Sequence, residues 1–149
     1  MSSSTEKQWA QQLYREDISI NSELSSISIP ITLQRLVMEA GANRDLSLMH
    51  HDRDIAQATG SPDAFANTYF IIGMFERLLR EWMGLKGRIK KINSLRMKTF
   101  NCPGDLLTFK AKITSLEDNN TIVLNLWVES EKGTTVTAEA IVELPHRSS

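Results

Sequence analysis

Two adjacent histidines, His50 and His51, lie between two carboxylates: Asp45 stands five residues before His50, and Asp52 follows His51 directly. A carboxylate near an imidazole is a general-base arrangement. The carboxylate fixes the tautomer and orientation of the ring, and the pair can take a proton from water near neutral pH. In isolation this signal is weak: on residue types alone the stretch from 42 to 52 reads first as a polar surface loop that supplies helix caps, with the general-base reading second to it. A metal site built from His50, His51 and Asp52 is the weaker alternative. Adjacent side chains point in different directions, and no further histidine or cysteine is at hand to complete a tetrahedral set. The third histidine, His146, belongs to the tail Pro145-His146-Arg147-Ser148-Ser149 and reads as solvated. Cys102, the only cysteine, precedes a Pro-Gly turn and reads as a small buried residue rather than a nucleophile.

These residues need elements to hold them. The most apolar stretch runs from Phe65 to Met83 and is read as one helix about 27 Å long. Its first half, Tyr69 to Phe75, is apolar on every side, which predicts burial all round. Its second half is amphipathic, with Leu78, Leu79, Trp82 and Met83 opposite Glu76, Arg77, Arg80 and Glu81. Asn67 would cap this helix if it starts late. Upstream, Thr32 predicts an N-cap for a helix over 33–40 with Leu36, Val37 and Ala40 inward, ended by Gly41. Asp52 predicts the cap of a short helix over 53–59, and Gly60-Ser61-Pro62-Asp63 a turn.

A first strand is expected within 18–31, limited to an edge or an end by Pro30. After Gly84 the period changes to two. Strands are expected over 88–100, 106–116, 121–130 and 134–144, joined by turns at Cys102-Pro103-Gly104-Asp105, 117–120 and Lys132-Gly133. Leu107, Phe109, Ala111 and Ile113 should face inward, and the four strands are read as a meander covering the long helix. Trp127 and Val123 lie on the opposite face and suggest a second buried surface. Residues 1–17 read as an N-terminal arm anchored by Trp9, Leu13 and Tyr14, residues 18–145 as one domain and 146–149 as a tail.

A chain of 149 residues with 17 basic and 18 acidic side chains is one α+β domain carrying no strong basic field, which argues against a nucleic-acid binder. The apolar part of the long helix is too short to span a bilayer. The first 17 residues have no apolar core of signal-peptide type, so a cytoplasmic protein is expected. A basic cluster, Lys86-Gly87-Arg88-Ile89-Lys90-Lys91 with Arg96 and Lys98, reads either as a solvated strand face or as a phosphate site, and Arg53 could serve the same purpose.

The order of elements and the run Arg44-Asp45-Leu46-Ser47-Leu48-Met49-His50-His51-Asp52 resemble the MaoC-like enoyl-CoA hydratases of the hotdog fold, whose hallmark reads roughly Gly-Asp-x-Asn-Pro-x-His-x-Asp. The resemblance covers about residues 25 to 145. The runs His50-His51-Asp52-Arg53-Asp54 and 60–67 are similar to a narrower group, the small MaoC-like subunit of hydratases acting on steroid side-chain CoA esters. Three positions depart from the hallmark: Arg44 for glycine, Ser47-Leu48 for Asn-Pro, and Asn67-Thr68 for His-Gly.

The resemblance implies a hotdog sheet around the long helix and hydration of a trans-2-enoyl-CoA to a (3R)-hydroxyacyl-CoA. Asp45 and His50 fall on the catalytic pair and would activate the water. The backbone N–H of Thr68 falls on the donor to the thioester oxygen. Ser47, Asn67, Arg53, Lys86 and Arg88 are the candidate substrate contacts. No cofactor is implied, because CoA is part of the substrate. A homodimer, or a heterotetramer with a second hotdog chain, is implied. Gly73 costs about 1 kcal/mol against alanine in mid-helix, and is read as close packing against a strand or as room for an acyl chain. Two rivals remain: a hotdog thioesterase, weakened by the absence of a carboxylate early on the long helix, and a non-catalytic subunit serving a catalytic partner.

Overall fold

The structure is a computed structural model and describes residues 11–147. Trp9 lies outside the described residues. Five strands form one antiparallel sheet: β1 (Ile27–Pro30), β2 (Arg88–Met97), β3 (Leu106–Leu116), β4 (Thr121–Ser130) and β5 (Gly133–Glu143). Three helices accompany them: α1 (Leu33–Asn43), α2 (Arg53–Ala58) and α3 (Thr68–Met83). This is the hotdog arrangement, with the sheet curled around α3.

The strand order is β1-β3-β4-β5-β2, so the expected four-strand meander is corrected to three strands. β3, β4 and β5 follow one another through short turns. β2 instead pairs with β5 at the far edge, and β1 takes the free side of β3. The segment 98–105 therefore carries the chain across three strand spacings, about 14 Å, which eight residues reach easily. β2 also carries register shifts between Ile89 and Lys91 and between Asn93 and Arg96. They explain why its apolar residues, Ile89, Ile92 and Leu95, do not keep a period of two.

Alternation in β3–β5 behaves as expected. Leu107, Phe109, Ala111 and Ile113 meet Ile122, Leu124, Leu126 and Val128, then Val136, Ala138, Ala140 and Val142, all buried. Against them α3 packs Phe70, Ile71, Met74, Phe75, Leu78, Leu79 and Met83. Phe75 meets Phe109 edge to face, with centroids 5.4 Å apart. On the other sheet face Trp127 is half-buried and donates from Nε1 to Glu129 Oε1 at 2.8 Å, and Glu129 also accepts from Lys110.

Four expectations need correction. The long helix starts at Thr68, with Asn67 as its cap, and its first half is not buried all round: Tyr69 is 59% exposed and Gly73 is exposed. The sheet covers only one side of α3. A Cβ at Gly73 would meet nothing within 4 Å, so no strand packs closely there. α1 runs past Gly41 to Asn43 and ends at Arg44, whose left-handed backbone (φ 56°) turns its N–H back to the Ala40 and Gly41 carbonyls. Val37 on α1 is 47% exposed rather than inward.

The described part of the arm, residues 11–17, docks on the domain. Gln12 Nε2 donates to the Met83 carbonyl at 2.8 Å, and Arg15 N–H to the Pro145 carbonyl at 2.9 Å. His146 is exposed but not merely solvated: its Nδ1 lies 2.6 Å from Glu16 Oε1. Among the described residues no helix is long and apolar enough to cross a membrane.

Candidate active site

Asp45 and His50 come together where α1 ends and α3 begins. Two backbone events fix Asp45. Its N–H donates to the Ala40 carbonyl at 2.9 Å, just past the left-handed turn at Arg44, and its Oδ1 accepts from Ser47 N–H at 3.2 Å. Its Oδ2 accepts from Asn67 Nδ2 at 2.9 Å. Asn67 is buried and does two jobs with one amide. While Nδ2 holds Asp45, Oδ1 accepts from Phe70 N–H at 2.8 Å and caps α3. The Asn67 bond, then the Ser47 N–H and the nearby histidines, hold the Asp45 carboxyl below its usual range despite an opposing contribution from burial.

His50 closes a short turn of 3-10 helix, Leu48–His50, and is 8% exposed. Its Nδ1 lies 2.8 Å from the Phe65 carbonyl oxygen, which can only accept. The neutral ring therefore carries its proton on Nδ1, and Nε2 presents a lone pair 3.4 Å from Asp45 Oδ2. The Phe65 ring stands edge to face against the imidazole at 5.0 Å. The Phe65 ring in turn packs at a tilt of 56° against Phe100, with centroids 4.8 Å apart, and the next N–H, of Ala66, is fastened to the Asn101 carbonyl at 2.9 Å.

A cavity of about 380 Å³ opens on this pair, walled by Asp45, His50, Phe65 to Tyr69 and Met97. The Thr68 hydroxyl turns towards Met97 Sδ, at 3.6 Å. The Thr68 N–H is one of the first-turn donors that a helix leaves free, at the positive end of the α3 dipole. The arrangement thus offers two acceptors aimed at one point, with a helix N-terminus on the same wall.

The structure brings Asp45, His50, Asn67 and Thr68 to this cavity. Ser47 contributes its backbone N–H to Asp45. Arg53 does not line the cavity; its Nε lies 3.7 Å from Asp63 Oδ1. Lys86 and Arg88 lie beyond the C-terminal end of α3, about 24 Å of helix away from Thr68. Asp52 is spent on capping α2 through Ile55 N–H at 3.1 Å. The Phe65 carbonyl belongs to the site without having been expected there, and Met97, whose residue type suits either the core or the wall of an apolar tunnel, lines the cavity. Phe65 acts through its backbone, which no side-chain pattern announces, and Met97 arrives from β2 only through the strand order.

No family model matches the chain. The 3-oxo-4,17-pregnadiene-20-carboxyl-CoA hydratase beta subunit of Mycobacterium tuberculosis (strain ATCC 25618 / H37Rv) is 36% identical over 114 residues, 76% of this chain and 85% of that protein. Among solved structures, the ChsH1-ChsH2 complex from Mycobacterium tuberculosis matches with a TM-score of 0.80 and 29% identity, over 85% of this chain and 98% of that one. An (R)-hydratase from A. caviae involved in PHA biosynthesis matches with a TM-score of 0.79 and 21% identity, over 87% and 99% of the two chains, and shares the fold. With its order of elements, its Asp45–His50 pair and this relative in sequence, the chain belongs to the MaoC-like hydratases of the hotdog fold.

Proposed function

We propose that this chain hydrates a trans-2-enoyl-CoA to a 3-hydroxyacyl-CoA, with Asp45 and His50 activating the water. The observation that carries the reading is the tautomer of His50. With Nδ1 committed to Phe65, Nε2 and Asp45 Oδ2 are two acceptors 3.4 Å apart. One water can donate a hydrogen to each, and its oxygen lone pairs then face the cavity. Attack on the β-carbon forms the C–O bond and breaks one water O–H bond. The alkene π pair moves onto the thioester oxygen as an enolate, which the Thr68 N–H can hold. The proton taken up by the pair then goes to the α-carbon, so the net change is addition of water.

The acyl group is proposed to be bulky, of the steroid side-chain type that the Mycobacterium tuberculosis relative's name carries. Support comes from the open flank beside the cavity, where Tyr69, Leu46 (81% exposed) and Leu48 (50% exposed) leave apolar surface uncovered. A second hotdog chain is the proposed cover for that flank, as the relative solved as a two-chain complex suggests.

The test is loss of enoyl-thioester absorbance, followed for a short linear and a steroid-type enoyl-CoA, with the chain alone and with a co-purified second hotdog chain. Replacing Asp45 by Asn keeps the shape and removes the acceptor charge. Turnover should fall by about a hundred- to ten-thousand-fold, the usual worth of a general base. A D45N complex that turns over like the wild type would identify this chain as a non-catalytic subunit.

A further inference from the structure

Gly73 lies in the second turn of α3 and is exposed. A glycine inside a helix is costlier than alanine, because its backbone loses more freedom on folding. A chain tolerates that cost where the backbone needs a positive φ or where a Cβ would clash. Neither holds at Gly73. The glycines with positive φ are Gly60, Gly84, Gly104 and Gly133, whereas Gly73 is helical. A Cβ at Gly87 would run into the Met83 side chain, but one at Gly73 meets nothing within 4 Å among the described residues. The space over Gly73 is therefore open to something outside the chain.

Gly73 stands four residues after Tyr69, so the two share a face of α3, about 6 Å apart. Tyr69 and Met97 wall the cavity onto which Asp45 and His50 open. From Thr68, at the start of the helix, Gly73 is about 7.5 Å along the axis. Ile72 beside it is half-buried. The outer face of α3 thus leaves the cavity as an apolar strip of Tyr69, Ile72 and Gly73. It then becomes charged: Glu76 pairs with Arg80 at 3.6 Å and Arg77 with Glu81 at 2.9 Å. A helix of a second chain lying along α3 would need an apolar seam down its length. This face offers one for two turns only, and its charges past Gly73 are paired within the helix. The strip fits a short apolar occupant that begins at the reacting atoms.

We infer that Tyr69, Ile72 and Gly73 form the floor of an acyl subsite, and that Gly73 is its specificity-determining residue: the missing side chain admits a wide, rigid, apolar acyl group such as a fused-ring system. This rests on the hydratase reading above, which puts the thioester oxygen at the Thr68 N–H. A four-carbon enoyl chain ends short of Gly73, whereas a fused-ring group runs over it.

The test is binding of two unreactive saturated thioesters, butanoyl-CoA and a steroid side-chain acyl-CoA, measured by calorimetry for wild type, G73A and G73L. The full chain is used, together with any second hotdog chain that co-purifies with it. The ratio of the two Kd values should move against the bulky ester by about fiftyfold in G73L and about fivefold in G73A, within the range that small changes in an apolar pocket produce. G73A should also melt a few degrees above wild type, because alanine is the better helix former and the space beside it is open. An unchanged ratio in G73L would overturn the proposal. So would a G73A that melts lower, since the glycine would then serve the chain's own packing, or one that sheds its second chain in sedimentation velocity, since the space would then be the partner's. The two readings fail separately. A wild type that binds both esters, with the expected shift in G73L, but hydrates neither enoyl-CoA would remove the hydratase reading and keep the acyl floor. A wild type that hydrates the short enoyl-CoA, with the ratio untouched in G73L, would do the reverse.

Discussion

Asn67 shows how much one side chain can settle here. Its Oδ1 starts α3 and its Nδ2 fixes Asp45, so the helix cap and the site share a residue. Replacing Asn67 by alanine should cost about 1–2 kcal/mol from the lost cap. It should also release Asp45 upwards towards 3.8, the value it has without its partners. A carboxyl held low in the folded state adds stability above its unfolded pKa, and that stability is lost as pH falls through the folded value. The wild type should therefore retain extra stability at pH above 3.8 that fades below it, and in N67A this acid-side difference should shrink. Thermal melts of both proteins between pH 3 and 7 would show it; parallel curves would mean that Asn67 serves only the helix. That Asp45 and His50 meet was legible from the family resemblance, since their spacing alone read first as a surface loop. The tautomer of His50 was not, because it is set by a backbone carbonyl fifteen residues away.

At the scale of elements, the strands β3 to β5 were legible almost to the residue, because one face of each is buried and period two is then enforced. The place of β2 was not. Its bulges break the period, and its partner is chosen by which sheet edge lies free rather than by its neighbour in sequence. The end of α1 was misread at Gly41 because the left-handed turn falls on Arg44, a residue type that rarely supplies it. The ends of the chain meet in a clasp: Glu16 accepts from His146 and from Arg147 N–H, and Arg147 also pairs with Asp17 and lies over the Tyr14 ring. The His146 bond, then the Arg147 N–H, lower the Glu16 pKa from 4.5 to about 2. By the sign of that shift the clasp should hold above pH 4.5 and loosen as pH falls towards 2. Substituting alanine for His146 should raise the Glu16 pKa towards 4.5, and an NMR titration of the Glu16 carboxyl would detect it. No change would mean the Arg147 contacts suffice.

At the scale of the whole molecule, the proposed second chain has two surfaces to meet, the open flank by the cavity and the edge of the sheet at β2. The edge carries Arg88, Lys90, Lys91 and Arg96 with no acidic residue. Of these, Lys90 alone is paired among the described residues, to Glu143 at 3.1 Å. Two copies of this edge laid antiparallel would set cations against cations, and like charges across strands are destabilising. A chain with an acidic edge would instead be drawn in, and such complementarity chooses partners more than it adds raw affinity. The two cases respond oppositely to salt. Screening shortens the reach of a charge from about 30 Å at 0.01 M to about 3 Å at 1 M. The chain alone should therefore dimerise more readily as salt rises, whereas a complex with an acidic-edged second hotdog chain should weaken. Sedimentation velocity on the chain alone and on the two-chain complex, each at low and high salt, reads both slopes. A homodimer equally tight at both ionic strengths would show that self-association does not use β2 and that the basic edge does not select the partner.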